Sequence, residues 1–418
     1  MFSPTWGLTG YFTVEILILL SLLVLAWKRS RSDKSVQAEP ITRERLRLSF
    51  LGIFATIVFV LSLIYFLDEW QKISFQRPFG DWDAWAIWNL RAGFIASGED
   101  WLKGFSAVIA WSHPDYPLLL PLNVARLWAF IGEQSVLAPM LLGLVFQLSL
   151  VGLLTSSVFI QRGYLQGLLA GTLGIMVVYV SLGFLQYADI PVAYYFLAAN
   201  VLLFMGDSTT ENKTAPVILA GIMVGAALWT KNEGWPLLAS TIGVKLLLDL
   251  VSRRGISQIT KWMGYLLIGL APFLITTIYF KIAFAPPNDL LAGLDLSSVA
   301  DKLTSLRRYW IIIRAAKNFT LNYGYLVYPL VSILLVYGLI QGLYLPKEQR
   351  PGIVALALRI FLILGSYYAI YLLTPKDLFW HISSSIDRLI SQILPSLLFL
   401  YFLVVSSPTR IKYPSGNR

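Results

Sequence analysis

The sequence predicts an all-α protein that crosses a membrane about eleven times, because it contains apolar runs of about 17–25 residues, which is enough to span a bilayer. Of its 418 residues, 57% are hydrophobic and only 13% are charged, and the mean hydropathy is +0.67. Soluble domains carry about twice this fraction of charged residues. Since the apolar runs occupy most of the chain, residues 1–418 are predicted to form one membrane domain without a separate soluble domain.

The residue types exclude several kinds of site. The chain has no cysteine and two histidines, so neither disulfides nor a zinc site of the usual kind is expected. It contains no P-loop, and no G-x-G-x-x-G opens a helix after a strand. The net charge of +10 is attributed to cytoplasmic loops that face anionic membrane lipids, and not to a nucleic-acid-binding surface.

Lysine and arginine residues in the short loops predict the orientation of the spans. The most basic segment, KRSRSDKSVQAEPITRERLR, follows the first span, so residues 28–48 are predicted to be a cytoplasmic linker. The first span, 11–27, is interpreted as a retained helix, because no basic stretch precedes it and no small-residue cleavage pattern follows it. The predicted spans are 11–27, 49–67, 136–160, 165–185, 191–206, 216–231, 235–251, 263–283, 324–345, 353–373 and 389–406.

Three loops on the external side collect polar residues, namely 68–135, 284–323 and 374–388. Within the first loop, the segment 117–132 is short and contains a proline, an asparagine and an arginine, so it is predicted to be an interfacial or re-entrant helix. This choice places every basic loop on one side. The short tails and the lack of cysteine favour a bacterial inner membrane with a periplasmic site.

The first external loop contains the stretch GDWDAWAIWNLRAGF (80–94) and seven of the fourteen tryptophans. These tryptophans fit an aromatic belt at the membrane interface, or a surface on which sugars or isoprenoids stack. Asp81 is placed to cap a helix and Asp83 to complement its dipole, with Arg91 on the same face as Asp83. The alternative is that one carboxylate has a function, since ionisable groups at a membrane boundary are functional candidates.

Three further short motifs supply candidate residues. In WSHPDYP, Asp115 either caps a helix or binds substrate, Tyr116 is a candidate substrate-binding residue, and His113 either binds substrate or is simply hydrogen-bonded. In YADIP, Asp189 either starts the next span or points into a cavity. The tight turn KNEG supplies the remaining candidates, Lys231 and Glu233, which can also pair with each other.

The last external loop, TPKDLFWHISSSIDRLI, gathers Lys376, His381, Asp387 and Arg388. Ser384 lies three residues after His381 and four before Arg388, so one helical face could present all three side chains. Such a face can recognise a phosphate group.

The order of these motifs resembles that of GT-C glycosyltransferases. A basic cytoplasmic end precedes a span, an external loop with an aspartate pair, then H-P-D-Y-P, and then A-D-I-P between two spans. Within that superfamily, residues 49–406 are most similar to the family 39-like, protein O-mannosyltransferase and aminoarabinose-transferase group. The resemblance implies a GT-C fold and inverting transfer of a sugar from a polyprenyl-phosphate donor to an acceptor lipid, glycan or protein on the non-cytoplasmic face.

Residue by residue, the resemblance also implies roles for the candidate side chains. Asp83 corresponds to the acidic residue of the first external loop, with Asp81 beside it. Asp189 corresponds to the second acidic position. The distal phosphate-binding loop corresponds to His381, Asp387 and Arg388.

Two other functional classes fit the composition. A transporter or flippase for a lipid-linked sugar would show inverted repeats and charges at the membrane midplane, whereas here no repeat is found and the charges gather at helix ends. A non-catalytic scaffold would not need carboxylates from three separate loops. Metal dependence stays open, because two or three aspartates could bind Mg²⁺ or Mn²⁺ weakly, or the site could use none.

Overall fold

The computed structural model describes residues 50–98, 100–180, 183–208, 214–288, 290, 295–322 and 330–408, together with five isolated positions between 13 and 24. Most of the predicted span 11–27, the linker 28–48 and the C-terminal tail lie outside the described residues.

The described chain is α-helical, and its single β-type contact is an isolated bridge between Leu343 and Val405. This confirms the predicted all-α class. The helices are α1 Phe50–Gln76, α2 Leu90–Ser97, α3 Leu119–Ile131, α4 Leu137–Arg162, α5 Tyr164–Val180, α6 Asp189–Ser208, α7 Thr214–Thr230, α8 Gly234–Val251, α9 Ile256–Ala283, α10 Leu296–Thr304, α11 Leu306–Asn322, α12 Leu330–Gln341, α13 Arg350–Leu373 and α14 Leu378–Val404.

Seven of the described helices are long and apolar enough to cross a membrane, namely α1, α4, α6, α8, α9, α13 and α14. The protein is therefore an all-α membrane protein. The predicted spans 165–185, 216–231 and 324–345 correspond to the shorter apolar helices α5, α7 and α12. The total of eleven spans stays a prediction. The segment 117–132 forms a helix, α3, of only 13 residues.

Helix α6 lies at the centre of the bundle. Buried residues make up 78% of its apolar stretch, compared with 17% in the peripheral helix α1. Its aromatic side chains Phe196 and Phe204 are fully buried, and Phe204 packs edge-on against Phe399 of α14 at a ring-centroid distance of 5.6 Å. The first residue of this central helix is Asp189, so the fold carries that carboxylate into the interior.

Three helices, α1, α9 and α14, extend past one end of their predicted spans by seven residues or more. Helix α14 begins at Leu378, whereas the predicted span begins at 389, so most of the predicted loop 374–388 is helical. The cause is that Asp377 caps the helix by accepting a hydrogen bond from the Trp380 amide at 2.8 Å. Helix α1 continues to Gln76, and α9 begins at Ile256. The predicted loop 284–323 likewise contains α10 and α11.

Helices α7 and α9 approach each other at small residues. A Cβ atom at Gly269 of α9 would collide with the Ile218 carbonyl oxygen, and one at Gly221 of α7 would collide with the Leu266 carbonyl oxygen. Close backbone approach through small residues is typical of helix pairs in membranes. These glycines therefore set the distance between the two helices.

We expect Gly269→Ala to lower the unfolding free energy by about 1–3 kcal/mol, because overpacking forces the two backbones apart. Gly264 lies on the same helix and has open space around it, so Gly264→Ala serves as a matched control. The measurement is thermal or denaturant unfolding of both variants in detergent. Equal stability of the two variants would contradict the assigned packing role of Gly269.

Candidate functional site

The backbone around Gly80 brings the first loop against the segment that precedes α6. Gly80 has a left-handed φ of +74°, and the Asp81 amide donates to the Leu185 carbonyl at 3.3 Å. A π-helical stretch, Ala84–Asn89, then leads into α2. Wide π turns of this kind often occur at functional sites, and this one directly follows Asp83.

Asp81 does not cap the helix as predicted. Its carboxylate accepts from the next amide, that of Trp82, at 2.8 Å, instead of from an amide two or three positions further on. The other oxygen lies 3.7 Å from the Arg77 guanidinium, and the side chain is 43% exposed. Asp81 therefore lies at the surface of the loop.

Asp83 is buried, so it does not act as a surface complement to the helix dipole. Its carboxylate pairs with Nη2 of Arg388, a contact between residues 305 positions apart. Burial raises the pKa of the Asp83 carboxyl, and the positive charge of Arg388 offsets only part of this rise. Asp83 is thus a carboxylate whose proton affinity is above the ordinary value.

Arg388 joins both candidate aspartates. Its Nε donates to Asp189 at 3.1 Å while Nη2 bonds Asp83, and its guanidinium carbon lies 5.1 Å from the centre of the Tyr187 ring. The Arg388 side chain keeps 19% of its surface exposed, compared with 1% for Asp189. The Arg388 side chain therefore reaches the surface, while the Asp189 carboxylate that it contacts is enclosed.

A second buried cation and two polar side chains complete the group. Lys231 donates to Asp189 at 2.9 Å and to Glu233 at 2.8 Å. Gln392 donates to Asp189 at 2.5 Å and accepts from Tyr367 at 2.8 Å. The set is called the charge cluster below and consists of Asp83, Asp189, Lys231, Glu233, Arg388 and Gln392.

Two carboxylates compensate the charge of the buried Lys231. Burial disfavours a charged ammonium group, whereas the carboxylates of Asp189 and Glu233, at 2.9 and 2.8 Å, favour it. The charge cluster therefore combines three acidic and two basic side chains that pair with one another.

Asp115 belongs to a separate polar group beside the charge cluster. Its carboxylate accepts from Asn232 at 2.8 Å and from Asn288 at 2.7 Å, and Lys281 lies 3.5 Å away. Lys281 also donates to Asn232 at 2.8 Å. These bonds tie the H-P-D-Y-P motif to the KNEG turn and to the end of α9.

The remaining residues of H-P-D-Y-P form an aromatic stack. The Tyr116 ring lies between the rings of Trp88 and His113, at centroid distances of 5.6 and 5.2 Å, and Lys231 approaches it to 5.9 Å. Arg91 is fully buried and donates to the carbonyls of Ser112 and His113. Arg91 therefore stabilises the turn at Ser112 and His113, where His113 has a left-handed φ of +48°.

The predicted phosphate-binding face of the last loop is divided in the structure. Arg388 reaches the charge cluster, whereas His381 Nδ1 is hydrogen-bonded to Thr374 at 2.9 Å and Lys376 lies 5.4 Å from the centre of the Trp380 ring. Ser384 bonds the His381 carbonyl at 3.2 Å. The Asp387 carboxylate accepts from the Arg388 amide at 2.8 Å. Arg388 is the member of this set that joins Asp83 and Asp189.

Sequence reasoning did not nominate several members of these groups. Gln392 and Tyr367 lie within predicted spans, where a polar side chain is itself a signal because it needs a partner. The others are Asn232, which lies inside the nominated KNEG turn, Lys281, a charged residue within the predicted span 263–283, and Asn288, which carries no such signal in the sequence.

The described residues contain no group of three or more acidic or histidine side chains that could hold a metal ion. Asp83 and Asp189 are bridged by the guanidinium of Arg388. A divalent ion that bound both carboxylates would have to displace this guanidinium.

In comparisons with known proteins, no family model, curated protein or solved structure matches this chain.

Proposed function

We propose that this chain is a membrane glycosyltransferase of the GT-C type that moves a sugar from a polyprenyl-phosphate donor to a hydroxyl group of an acceptor lipid, glycan or protein. The observation that carries the proposal is the contact of Arg388 with both Asp83 and Asp189. This contact sets a carboxylate of raised pKa beside the guanidinium of a partly exposed arginine. The reaction needs these two groups, on the attacking and the leaving side of one anomeric carbon.

Asp83 is proposed as the general base. A hydroxyl that attacks the anomeric carbon must lose its proton, and a carboxylate within hydrogen-bond reach takes it most effectively when its pKa lies closer to the working pH. The raised pKa of the Asp83 carboxyl, caused by burial, moves it in this direction. The proton passes from the acceptor oxygen to Asp83 as the new glycosidic bond forms.

Arg388 is proposed to bind the phosphate of the donor, with Lys231 behind it. When the bond between sugar and phosphate breaks, its electron pair goes to the phosphate oxygen, and fixed cations stabilise this negative charge. Among the described residues, Nη1 of Arg388 has no hydrogen-bond partner, which leaves its donors for a phosphate oxygen. Phosphate binding would also compete with Asp83 for the guanidinium and so free the base.

An exposed aromatic surface lies next to the proposed base. Trp82 contacts Trp85 at a ring-centroid distance of 4.8 Å and Trp111 at 5.8 Å, and all three rings are between 43% and 49% exposed. Indole rings of this kind stack on sugars and isoprenoid chains and also settle at membrane interfaces. Both tasks suit an enzyme whose donor is anchored in the membrane on its external, periplasmic side.

The transport alternative is less well supported by the position of the charges. Transporters place their substrate site near the bilayer midplane, between repeats. Here Asp83, Asp189, Lys231 and Glu233 lie at helix ends, and Arg388 of α14 directly precedes the predicted span 389–406. This arrangement favours chemistry at the membrane surface.

The test is sugar transfer by the purified full-length protein, assayed with radiolabelled polyprenyl-phosphate sugars and extracted envelope lipids, glycans or proteins as acceptors. We expect transfer without nucleotide, and a rate that falls as the pH drops through the raised pKa of Asp83, because only the unprotonated carboxylate accepts a proton. The acid limb should therefore lie above the pH at which an ordinary aspartate titrates.

Movement of the labelled donor across vesicles without cleavage of its sugar–phosphate bond would instead identify a flippase. A transfer rate with no acid limb above the ordinary aspartate range would remove Asp83 from the role of base.

A further inference from the structure

A cavity lined by charged side chains lies at the opposite end of α6 from the charge cluster. It has a volume of about 240 Å³ and is bordered by α6, α8, α9 and α13. The charge cluster contacts the first residue of α6, whereas this cavity is lined by Asp207 near the end of that helix. A helix of this length separates the two sites by about 27 Å.

The cavity has an excess of positive charge. Four basic and two acidic side chains line it, a formal charge of +2: Lys245, Arg254, Arg350 and Arg359, with Asp207 and Asp249. The buried carboxylate of Asp249 already pairs with Lys245 and, at 3.3 Å, with Arg254. The other two basic side chains are Arg350 and Arg359, and the remaining carboxylate, Asp207, compensates part of their charge by attracting Arg359.

Arg359 is held inside this cavity with a donor unused. The residue is 3% exposed, and its Nε donates to Asn200 Oδ1 at 3.0 Å, while Asn200 in turn donates to Ser396 at 3.2 Å. In the described part of the chain, its buried Nη2 has no hydrogen-bond partner, and the same is true of the buried Thr241 hydroxyl, which also lines the cavity. An unsatisfied buried donor on a charged group is strongly destabilising, so an anionic acceptor fits here.

We propose that this cavity binds the phosphate group of an anionic membrane lipid. The turn SRRG beside it is basic and is predicted to lie on the cytoplasmic side, where anionic lipid headgroups attract such residues. Apolar side chains next to the cavity face outward, with Leu250, Val251 and Ile256 between 72% and 79% exposed, as a surface for acyl chains would require. This binding site does not depend on the proposed glycosyltransferase activity.

The experiment measures binding of phosphatidylglycerol to the purified full-length protein in neutral detergent, by native mass spectrometry. We expect Arg359→Gln to weaken this binding about tenfold, because a charge-assisted hydrogen bond is lost. The control is Arg314→Gln, which removes the same charge from an exposed position on α11, outside this cavity, and should leave the affinity within about twofold. If Arg359→Gln does not fold, the test uses Arg350→Gln instead. Arg350 lies on the exposed rim of the cavity, and its substitution should also weaken binding.

Three results would overturn the proposal. The first is unchanged phosphatidylglycerol affinity in the folded cavity variants. The second is equally tight, Arg359-dependent binding of phosphatidylcholine, which would remove the requirement for a net anionic lipid. The third is Arg359-dependent binding of inorganic phosphate that displaces phosphatidylglycerol, which would identify a soluble phosphate as the ligand. Sugar transfer is measured in parallel, so that failure of this site and failure of the proposed activity remain distinguishable.

Discussion

Asp83→Asn is expected to lower the rate of sugar transfer by about 10²–10⁴-fold, the usual loss when a general base is removed. Asparagine has nearly the same shape and can still accept a hydrogen bond from Arg388, but it cannot take up the acceptor's proton. The variant should therefore fold, insert and bind the donor. The measurement is the transfer rate per folded protein, with donor affinity and thermal stability recorded on the same samples.

The matched control for this variant is Asp81→Asn. Asp81 lies two residues away and is 43% exposed, and its carboxylate contacts the Trp82 amide at 2.8 Å and the Arg77 guanidinium at 3.7 Å. We expect it to keep most of the activity. An inactive Asp81→Asn beside a fully active Asp83→Asn would reverse the assignment within the aspartate pair, and full activity in both would exclude this loop from catalysis.

Asp189→Asn is expected to lower the free energy of unfolding by about 3–5 kcal/mol, the usual effect of removing one partner of a buried ion pair. Asp189 is completely buried and receives hydrogen bonds from Lys231, Arg388 and Gln392. Without its charge, two cations remain in the interior with less compensation. Denaturant unfolding in detergent, followed by tryptophan fluorescence, measures the change.

A second substitution tests whether uncompensated charge is the cause. Asp189→Asn combined with Lys231→Met removes one cation as well and should recover part of the lost stability. Asp68→Asn breaks the exposed pair between Asp68 and Lys72 on α1 and should have no measurable effect, because surface pairs contribute little. Wild-type stability of Asp189→Asn would refute a structural role for the charge cluster.

Hydropathy predicted the helical class and the positions of most apolar helices, but not where the helices end. Helix α14 continues eleven residues to the N-terminal side of its predicted start at 389. Polar and charged residues lower the hydropathy there, but Leu378, Ile382 and Leu389 still bury one face, and Asp377 caps the end. Burial depends on neighbouring helices, and capping depends on local hydrogen bonds. A hydropathy average over a stretch of residues reports neither.

The sequence predicted several residues of the candidate site, but only some of the contacts between them. Asp83, Asp189 and Arg388 were nominated from three separate motifs, and the structure brings them into contact. His381 and Lys376 were expected beside Arg388, but the structure pairs them with Thr374 and Trp380. Arg91 was expected on the face of Asp83, but the π-helical stretch changes the spacing, and its guanidinium holds the turn at Ser112.

The sequence by itself determined that this is a helical membrane protein with polar motifs at the ends of its helices, because apolar length and loop charge are local properties of the chain. Only the tertiary structure decided which of those motifs meet. The Asp83–Arg388 contact spans 305 positions, and the buried Gln392 contacts Asp189 from inside a predicted span. A buried charge is stable only when an opposite charge or hydrogen-bonding group lies next to it, and residues so far apart in the chain become neighbours only when the helices pack.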